Sequence, residues 1–294
     1  MHKSGFVNIV GNPNVVKSTL MNTLVGERIS IITSKAQTTR HRIMGIVNGE
    51  DFQIVYSDTP GVLKPNYKLQ ESMLGFSTSA LKDADILLYV TDTVENGMKN
   101  SDFIEKVKKQ HAPVLLIINK IDLTDQQKLE ALVAQWKEIL PNAEIIPVSA
   151  ANKFNIDYVL KRIKDLLPEC PPYFEKDALT DKPARFFVTE IIREKILTNY
   201  DREIPYAVEV VVEQFKESDD LIRINAVINV ERDTQKGIII GKGGKMLKIV
   251  GTEARKDIEA FFGKKVFLEL FVKVEKDWRN KEMKLKSFGY DADI

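Results

Sequence analysis

The stretch Gly11-Asn12-Pro13-Asn14-Val15-Val16-Lys17-Ser18, followed by Thr19, has the residue types and spacing to hold phosphate. It fits the pattern Gly, four residues, Gly-Lys-Ser/Thr at every defined position except one. In such a loop, backbone N–H groups and the N-terminus of the next helix form a concave anion site. Lys17 would neutralise β- and γ-phosphate oxygens, and Ser18 would ligate Mg²⁺. The departure is Val16. Glycine normally stands there because the backbone passes close to the phosphates, and a β-branched side chain crowds that approach and resists unusual dihedrals. Gly, Asn and Pro after a strand also suit a plain tight turn, so this loop alone is only suggestive.

Further stretches supply the rest of such a site. Asp58-Thr59-Pro60-Gly61 offers an aspartate to hold Mg²⁺ through water and a glycine amide to meet a γ-phosphate. Asn119-Lys120-Ile121-Asp122 and Ser149-Ala150-Ala151 each close a later apolar run. In the last third, Gly241-Lys242-Gly243-Gly244 lies among Lys236, Lys245 and Lys248. A glycine-rich turn flanked by lysines lets a nucleic-acid backbone approach the protein backbone closely.

The elements that must position these groups can be read from periodicity. Phe6–Val10, Gln53–Ser57, Ile86–Thr91, Val114–Asn119 and Glu144–Val148 are short apolar runs of the kind that form buried strands. Between them, Ser18–Leu24, Gln70–Lys82, Asp102–Gln110, Lys128–Leu140 and Ile156–Leu167 have helical spacing. Alternating strand and helix predicts an α/β domain with a mostly parallel sheet wrapped on both faces, over residues 1–168. Every motif of the first domain falls at the C-terminal end of a predicted strand, the edge where open α/β sheets bind ligands.

Pro168, Pro171, Pro172 and Pro183 then break the pattern, giving a linker over 169–183. A smaller α+β domain is expected over 184–286: a helix Ala184–Asn199, strands Ala207–Phe215 and Leu221–Glu231, a loop and helix Lys236–Phe262, and a strand Phe267–Val274. A charged tail, 287–294, completes the chain. Ile239, Ile240, Leu247 and Val250 are candidates for the core of this domain and for a base-contacting groove.

Composition narrows the function classes. With 294 residues, 44% hydrophobic and 29% charged, the chain reads as an ordinary globular protein of two domains. Apolar runs are far shorter than the roughly 20 residues that span a bilayer, and Met1–Val10 has no leader pattern. The single Cys170 excludes an internal disulfide framework and a Cys-based zinc site, and a cytosolic location is expected. The net charge of +1 hides segregation: residues 201–235 carry 4 basic and 9 acidic groups, and 236–286 carry 14 and 7. The basic block suits an anionic partner, although charge runs often only solvate a helix face.

On Asn119, Lys120 and Asp122 the first domain resembles the translation-factor-type GTPases, whose guanine-specificity motif is Asn-Lys-x-Asp. The resemblance implies a P-loop GTPase domain that binds GTP, GDP and Mg²⁺. It implies that Asp122 accepts from the paired N–H donors of guanine, with Lys120, Ser149, Ala150 and Ala151 around the base. A buried carboxylate left unpaired by the wrong base gives strong discrimination. Gln37-Thr38-Thr39-Arg40 resembles the first switch segment, in which Thr39, with Thr38 as its neighbouring alternative, closes on Mg²⁺. On this reading Lys17, Thr39 and Gly61 serve catalysis; Ser18, Thr39 and Asp58 hold the metal; and Gly11, Asn12, Asn14, Val15, Val16, Lys17, Ser18 and Thr19 cradle phosphate. Val62 stands where many GTPases place a glutamine that orients water. That resembles the hydrophobic-substituted GTPases, in which an asparagine at the place of Asn14 often coordinates K⁺; Asn14 is equally suited to a turn.

Gly241–Gly244 resembles the clamp loop of a KH domain, which implies RNA binding by Lys236, Gly241, Lys242, Gly243, Gly244, Lys245 and Lys248. The two domains in this order resemble the bacterial Era-like GTPases from Phe6 to about Lys286, including Lys35–Arg42 and Glu203-Ile204-Pro205-Tyr206. Membership would imply binding to the 3′ end of 16S rRNA, a role in 30S ribosomal subunit maturation, and peripheral association with the inner membrane face. No oligomer-forming feature is visible, so a monomer is expected. The competing reading, of a different class, is an RNA-binding scaffold whose nucleotide site Val16 has impaired. A relative with tandem GTPase domains is disfavoured because each motif occurs once.

Overall fold

The computed structural model describes residues 1–95 and 99–291, which divide into two compact units, 1–66 with 70–181 and 67–69 with 182–291. The first unit is a six-stranded sheet in the order β2-β3-β1-β4-β5-β6. Its strands are β1 (Lys3–Gly11), β2 (Ile43–Asn48), β3 (Phe52–Asp58), β4 (Ile86–Asp92), β5 (Val114–Asn119) and β6 (Glu144–Pro147). All neighbours pair in parallel except β2 with β3. The helices are α1 (Lys17–Val25), α2 (Lys68–Ser79), α3 (Ser101–Lys108), α4 (Gln126–Ile139) and α5 (Ile156–Leu166).

The central strands are buried along β4 and over Val7–Gly11 of β1 and Leu115–Asn119 of β5, as strands covered on both faces should be. The antiparallel edge strand β2 is absent from the sequence reading. Gly45 at its middle, which reads as a break, is there because a Cβ would lie 2.8 Å from the side chains of Met21 and Val25.

The stretch expected as a linker lies instead, as far as residue 181, against the first unit. Glu169 bridges Lys3 and Thr180 bridges Gly45. Cys170 N–H donates to the His2 carbonyl and Ile46 N–H to that of Leu179. Gln53 accepts from the N–H groups of Tyr173 and Phe174. The prolines exclude helix, but edge-strand and loop backbone still finds partners here.

The second unit contains α6 (Ala184–Asn199), β7 (Glu209–Glu217), β8 (Leu221–Val230), α7 (Asp233–Ile240), α8 (Lys245–Phe262), β9 (Lys265–Val274) and α9 (Glu282–Ser287). The sheet order is β7-β8-β9, with β8 antiparallel to β7 and parallel to β9. Residues 233–262 provide the crossover that a parallel neighbour needs. Ile222, Ile224, Ala226, Ile228 and Val230 point to one face, where Val188, Ile192, Ile196, Val250, Ala254 and Ile258 close the core.

Two expectations are corrected. Residues 233–240 form a helix, where the sequence reading had a loop from Lys236 with an apolar run. The expected charged tail 287–294 is more than that, since Tyr290 within it is buried and donates to Glu209 at 2.7 Å; just before it Trp278 and Leu285 are buried as well, with Trp278 donating to the Ala207 carbonyl at 3.1 Å. Alternating lysines hid these apolar anchors. Residues 292–294 of that expected tail lie outside the described residues.

Candidate nucleotide site and nucleic-acid interface

β1 delivers the phosphate loop at the sheet edge predicted for it. Gly11, at φ 151°, passes so close to β4 that a Cβ would lie 2.2 Å from the Val90 carbonyl oxygen. Asn14 and Val16 both stand at φ 67°, in the left-handed region. For Asn14 that is a tolerated turn conformation. For Val16, immediately before α1, it is a strained one, and its side chain lines the cleft.

Lys17 is buried, and its Nζ donates to the carbonyls of Gly11 at 3.1 Å and Asn12 at 3.0 Å. Burial lowers its pKa to about 8, against the opposing pull of Asp58 and Glu95. Asn119 Nδ2 donates to the Val15 carbonyl at 3.1 Å, and Lys120 Nζ donates to that of Asn14 at 2.8 Å while pairing with Asp92. The loop is thus held from outside by the guanine-type motif.

The oxygen cluster lies one residue on. Ser18 Oγ donates to Asp58 Oδ2 at 2.7 Å and lies 2.9 Å from Thr39 Oγ1, which also donates to Asp58 at 3.3 Å. Thr38 bonds Thr33 and the Lys35 carbonyl, so Thr39 is the threonine brought to the cluster. Asp58 is fully buried, and its Oδ1 has no hydrogen-bond partner. Burial raises its pKa, and the Ser18 hydrogen bond and the Lys17 charge oppose that shift. Three hard oxygen donors, one of them a carboxylate short of positive charge, fit Mg²⁺. The cleft beside them has a volume of about 280 Å³ and is lined by Lys17, Ser18, Thr19, Thr39, Gly61 and Lys120, among others.

Gly61 abuts the phosphate loop so closely that a Cβ would lie 2.7 Å from Pro13 Cα. Val62 N–H donates to the Gly11 carbonyl, while the Val62 side chain, 3% exposed, joins the apolar core with Leu87 and Leu116. It can orient no water. At the base end, Asn119 Oδ1 accepts from the N–H groups of Lys120 at 2.8 Å and Ala150 at 3.0 Å. Asp122 accepts from Ser149 Oγ at 2.5 Å. Ala151 is exposed beside them.

Sequence reasoning missed a second polar group at this loop. Asn12 donates to Glu95 at 2.6 Å, and Asn100 Nδ2 donates to Asn12 Oδ1 and to the Val62 carbonyl, both at 2.8 Å. No motif spacing marks residues 83 and 88 positions from their partner.

In the second unit α7 ends at Ile240, capped by Gly241, and α8 begins at Lys245, with Gly241, Gly243 and Gly244 at φ 70°, 61° and 75°. Around Gly243 and Gly244 an added Cβ meets nothing, whereas at Gly241 it would lie 2.7 Å from Met246 Cγ. Lys242, Lys245 and Lys248 are exposed and Lys236 is half-buried. Ile239 and Val250 belong to the core. Leu247 lines a groove of about 370 Å³ with Gly251, Arg255, Leu268 and Leu270. The turn, the lysines and this apolar trough together can hold a nucleic-acid strand and its bases.

Comparisons with known proteins match both units. Residues 6–120 match the family described as "50S ribosome-binding GTPase", and residues 203–279 match the KH domain family. GTPase Era of Staphylococcus haemolyticus is 46% identical over 294 residues, covering 99% of this chain and 98% of that one. A crystal structure of Era in complex with MgGDPNP and nucleotides 1506–1542 of 16S ribosomal RNA superposes with a TM-score of 0.94 at 38% identity, over 99% of each chain. A singly substituted Era of Aquifex aeolicus bound to GDP·AlF4⁻ superposes at 0.92, with 38% identity, over 98% of this chain and 99% of the other.

Proposed function

This chain belongs to the Era family of GTPases, and on that premise we propose that it is a GTP-hydrolysing switch whose KH unit binds the 3′ region of 16S rRNA during maturation of the 30S subunit. The observation that carries the reading is the convergence of Ser18 and Thr39 on the buried, half-satisfied carboxylate of Asp58.

Ser18, Thr39 and Asp58 would hold Mg²⁺, which supplies charge neutralisation at the phosphates when bound. Lys17 gives up two carbonyl contacts to meet phosphate oxygens, and the Gly61 amide meets the terminal one. With Val62 turned into the core, the rate rests on positioning and on fixed charge rather than on a side-chain base. Asp122 selects guanine. Binding and release of the terminal phosphate bias the segments around Thr39 and Gly61, and thereby the affinity for RNA.

Steady-state hydrolysis with GTP and ATP, together with affinity for a 37-nucleotide RNA matching the segment in the Era complex, tests this. Turnover of GTP but not ATP and tight RNA binding are expected; absence of both leaves no switch. RNA binding with no nucleotide affinity at millimolar GTP would instead favour the scaffold reading, for which the strained Val16 is the motive. The proposal extends to K⁺ at Asn14, which is dropped if hydrolysis runs equally in sodium and potassium. It extends also to a monomer, checked by sedimentation. No helix among the described residues is long and apolar enough to cross a membrane; peripheral attachment is checked by vesicle flotation.

A further inference from the structure

The sheet of the second unit has one face against helices and another that carries chemistry of its own. On β9, Lys265, Phe267, Glu269, Phe271 and Lys273 alternate away from the core, with Phe267 45% and Phe271 53% exposed. Large aromatic side chains standing free on a sheet are unusual, and here they are backed by the neighbouring strands. Phe271 pairs across to Val227 and on to Val211; Phe267 pairs to Arg223 and on to Lys216. The Arg223 guanidinium lies 5.6 Å from the Phe267 ring centroid. Between the two phenylalanines runs a polar row, Glu269, Asn225 and Gln214.

We infer that this outer face is a second platform for single-stranded RNA, separate from the turn and groove on the helical side. This rests on the RNA-binding reading above and extends it. Bases stack on Phe267 and Phe271, for which any base serves. The carboxylate of Glu269 and the amides of Asn225 and Gln214 face base edges, where a carboxylate accepts from an exocyclic amine. Lys216, Arg223, Lys265 and Lys273 meet phosphates. These four positive charges outweigh Glu269 and the exposed Glu213 at the β7 bulge, so the face complements a polyanion and not a basic partner. It is also continuous with the groove, since Leu268 and Leu270 of the same strand β9 line that trough from the other side.

The test measures affinity of the full chain for the 37-nucleotide RNA and for a piece of about 9 nucleotides from its 3′ end, a length within the site size of one single-strand module. Because both phenylalanines are exposed, Phe267→Ala with Phe271→Ala leaves the fold intact, checked by an unchanged melting temperature. The double variant is expected to lose at least about tenfold in affinity for the long RNA and under about twofold for the short one. Phe271→Tyr keeps long-RNA affinity and Phe271→Leu loses it, which separates stacking from general apolar contact. Equal long-RNA affinity in parent and double variant, while Gly244→Asp abolishes binding, overturns the platform and leaves the clamp standing. A parent that binds neither RNA overturns the underlying reading and this one with it. A concentration-dependent dimer that the double variant dissolves also overturns it, since the face is then covered by a second copy.

Discussion

Asn100 donates its side-chain N–H to the Val62 carbonyl at 2.8 Å, pinning the peptide after Val62 from the start of α3, a helix outside the cleft lining. The same amide reaches Asn12 of the phosphate loop. Asn100→Ala therefore frees the Val62–Leu63 peptide and removes one donor from the Asn12 side chain, while the backbone contacts of the phosphate loop stay in place. The expected result is GTP turnover reduced about tenfold with GDP affinity changed less than about twofold, read by single-turnover hydrolysis and equilibrium binding. Equal losses in both would assign Asn100 to general folding.

Val16 concerns the loop itself. A β-branched residue at φ 67° costs on the order of 1–2 kcal/mol. Val16→Gly removes that strain and the isopropyl group from the cleft, offset by about 0.5–1 kcal/mol of added freedom in the unfolded chain. Stability should rise by no more than about 1 kcal/mol in urea unfolding. GDP and GTP affinity should rise at least about tenfold, by fluorescent-nucleotide titration. An affinity that stays the same would mean the side chain does not obstruct phosphate.

Metal dependence follows from Asp58. In the parent, chelating Mg²⁺ should weaken GTP binding strongly. In Asp58→Asn, which keeps shape but removes the charge, the same chelation should change affinity less than about twofold. Titration of both proteins with and without chelator reads the difference. A variant that responds to chelation as the parent does would move the metal elsewhere.

Tyr200 carries a pH prediction for the second unit. Its hydroxyl donates to the Ile239 carbonyl at 2.6 Å, just before the glycine turn, and burial pushes its pKa up from 10.0 to about 12. The folded state thus favours the neutral phenol. Its contribution is complete below about pH 10 and is lost as pH climbs from there through about 12. Tyr200→Phe should cost about 1 kcal/mol at neutral pH. The difference between parent and variant should shrink across that same alkaline window, measured by denaturant unfolding at fixed pH values.

What the sequence displayed were elements whose signal is local. The run Val114–Asn119 and the helix Ala184–Asn199 have in the structure the bounds their periodicity predicts. Lys17, Ser18, Asp58 and Asn119 were legible because they fall in short motifs of fixed spacing at strand ends. What stayed hidden depends on distant partners. Gly45 makes sense in a strand only once Met21 and Val25 are seen to press on it. Ile238, Ile239 and Ile240 read as an apolar run in a loop, because Gly237, which meets nothing in space, hides the helix that contains them. Trp278 and Tyr290 disclose their burial only through Ala207 and Glu209, 71 and 81 residues back. Gly241 is crowded by Met246 whereas a Cβ at Gly244 meets nothing, so of these two positive-φ positions Gly244 is the one where a substitution disturbs the neighbours less.

The segment 169–181 is stowed length. It joins one compact unit to the next, yet it is held along the first by a few edge hydrogen bonds such as those of Leu179 to Ile46 and Cys170 to His2. At roughly 3.4 Å per residue, those thirteen residues would release a tether of about 45 Å. A pulling experiment through the two ends should register that gain as an early, low-force extension, before either core gives way.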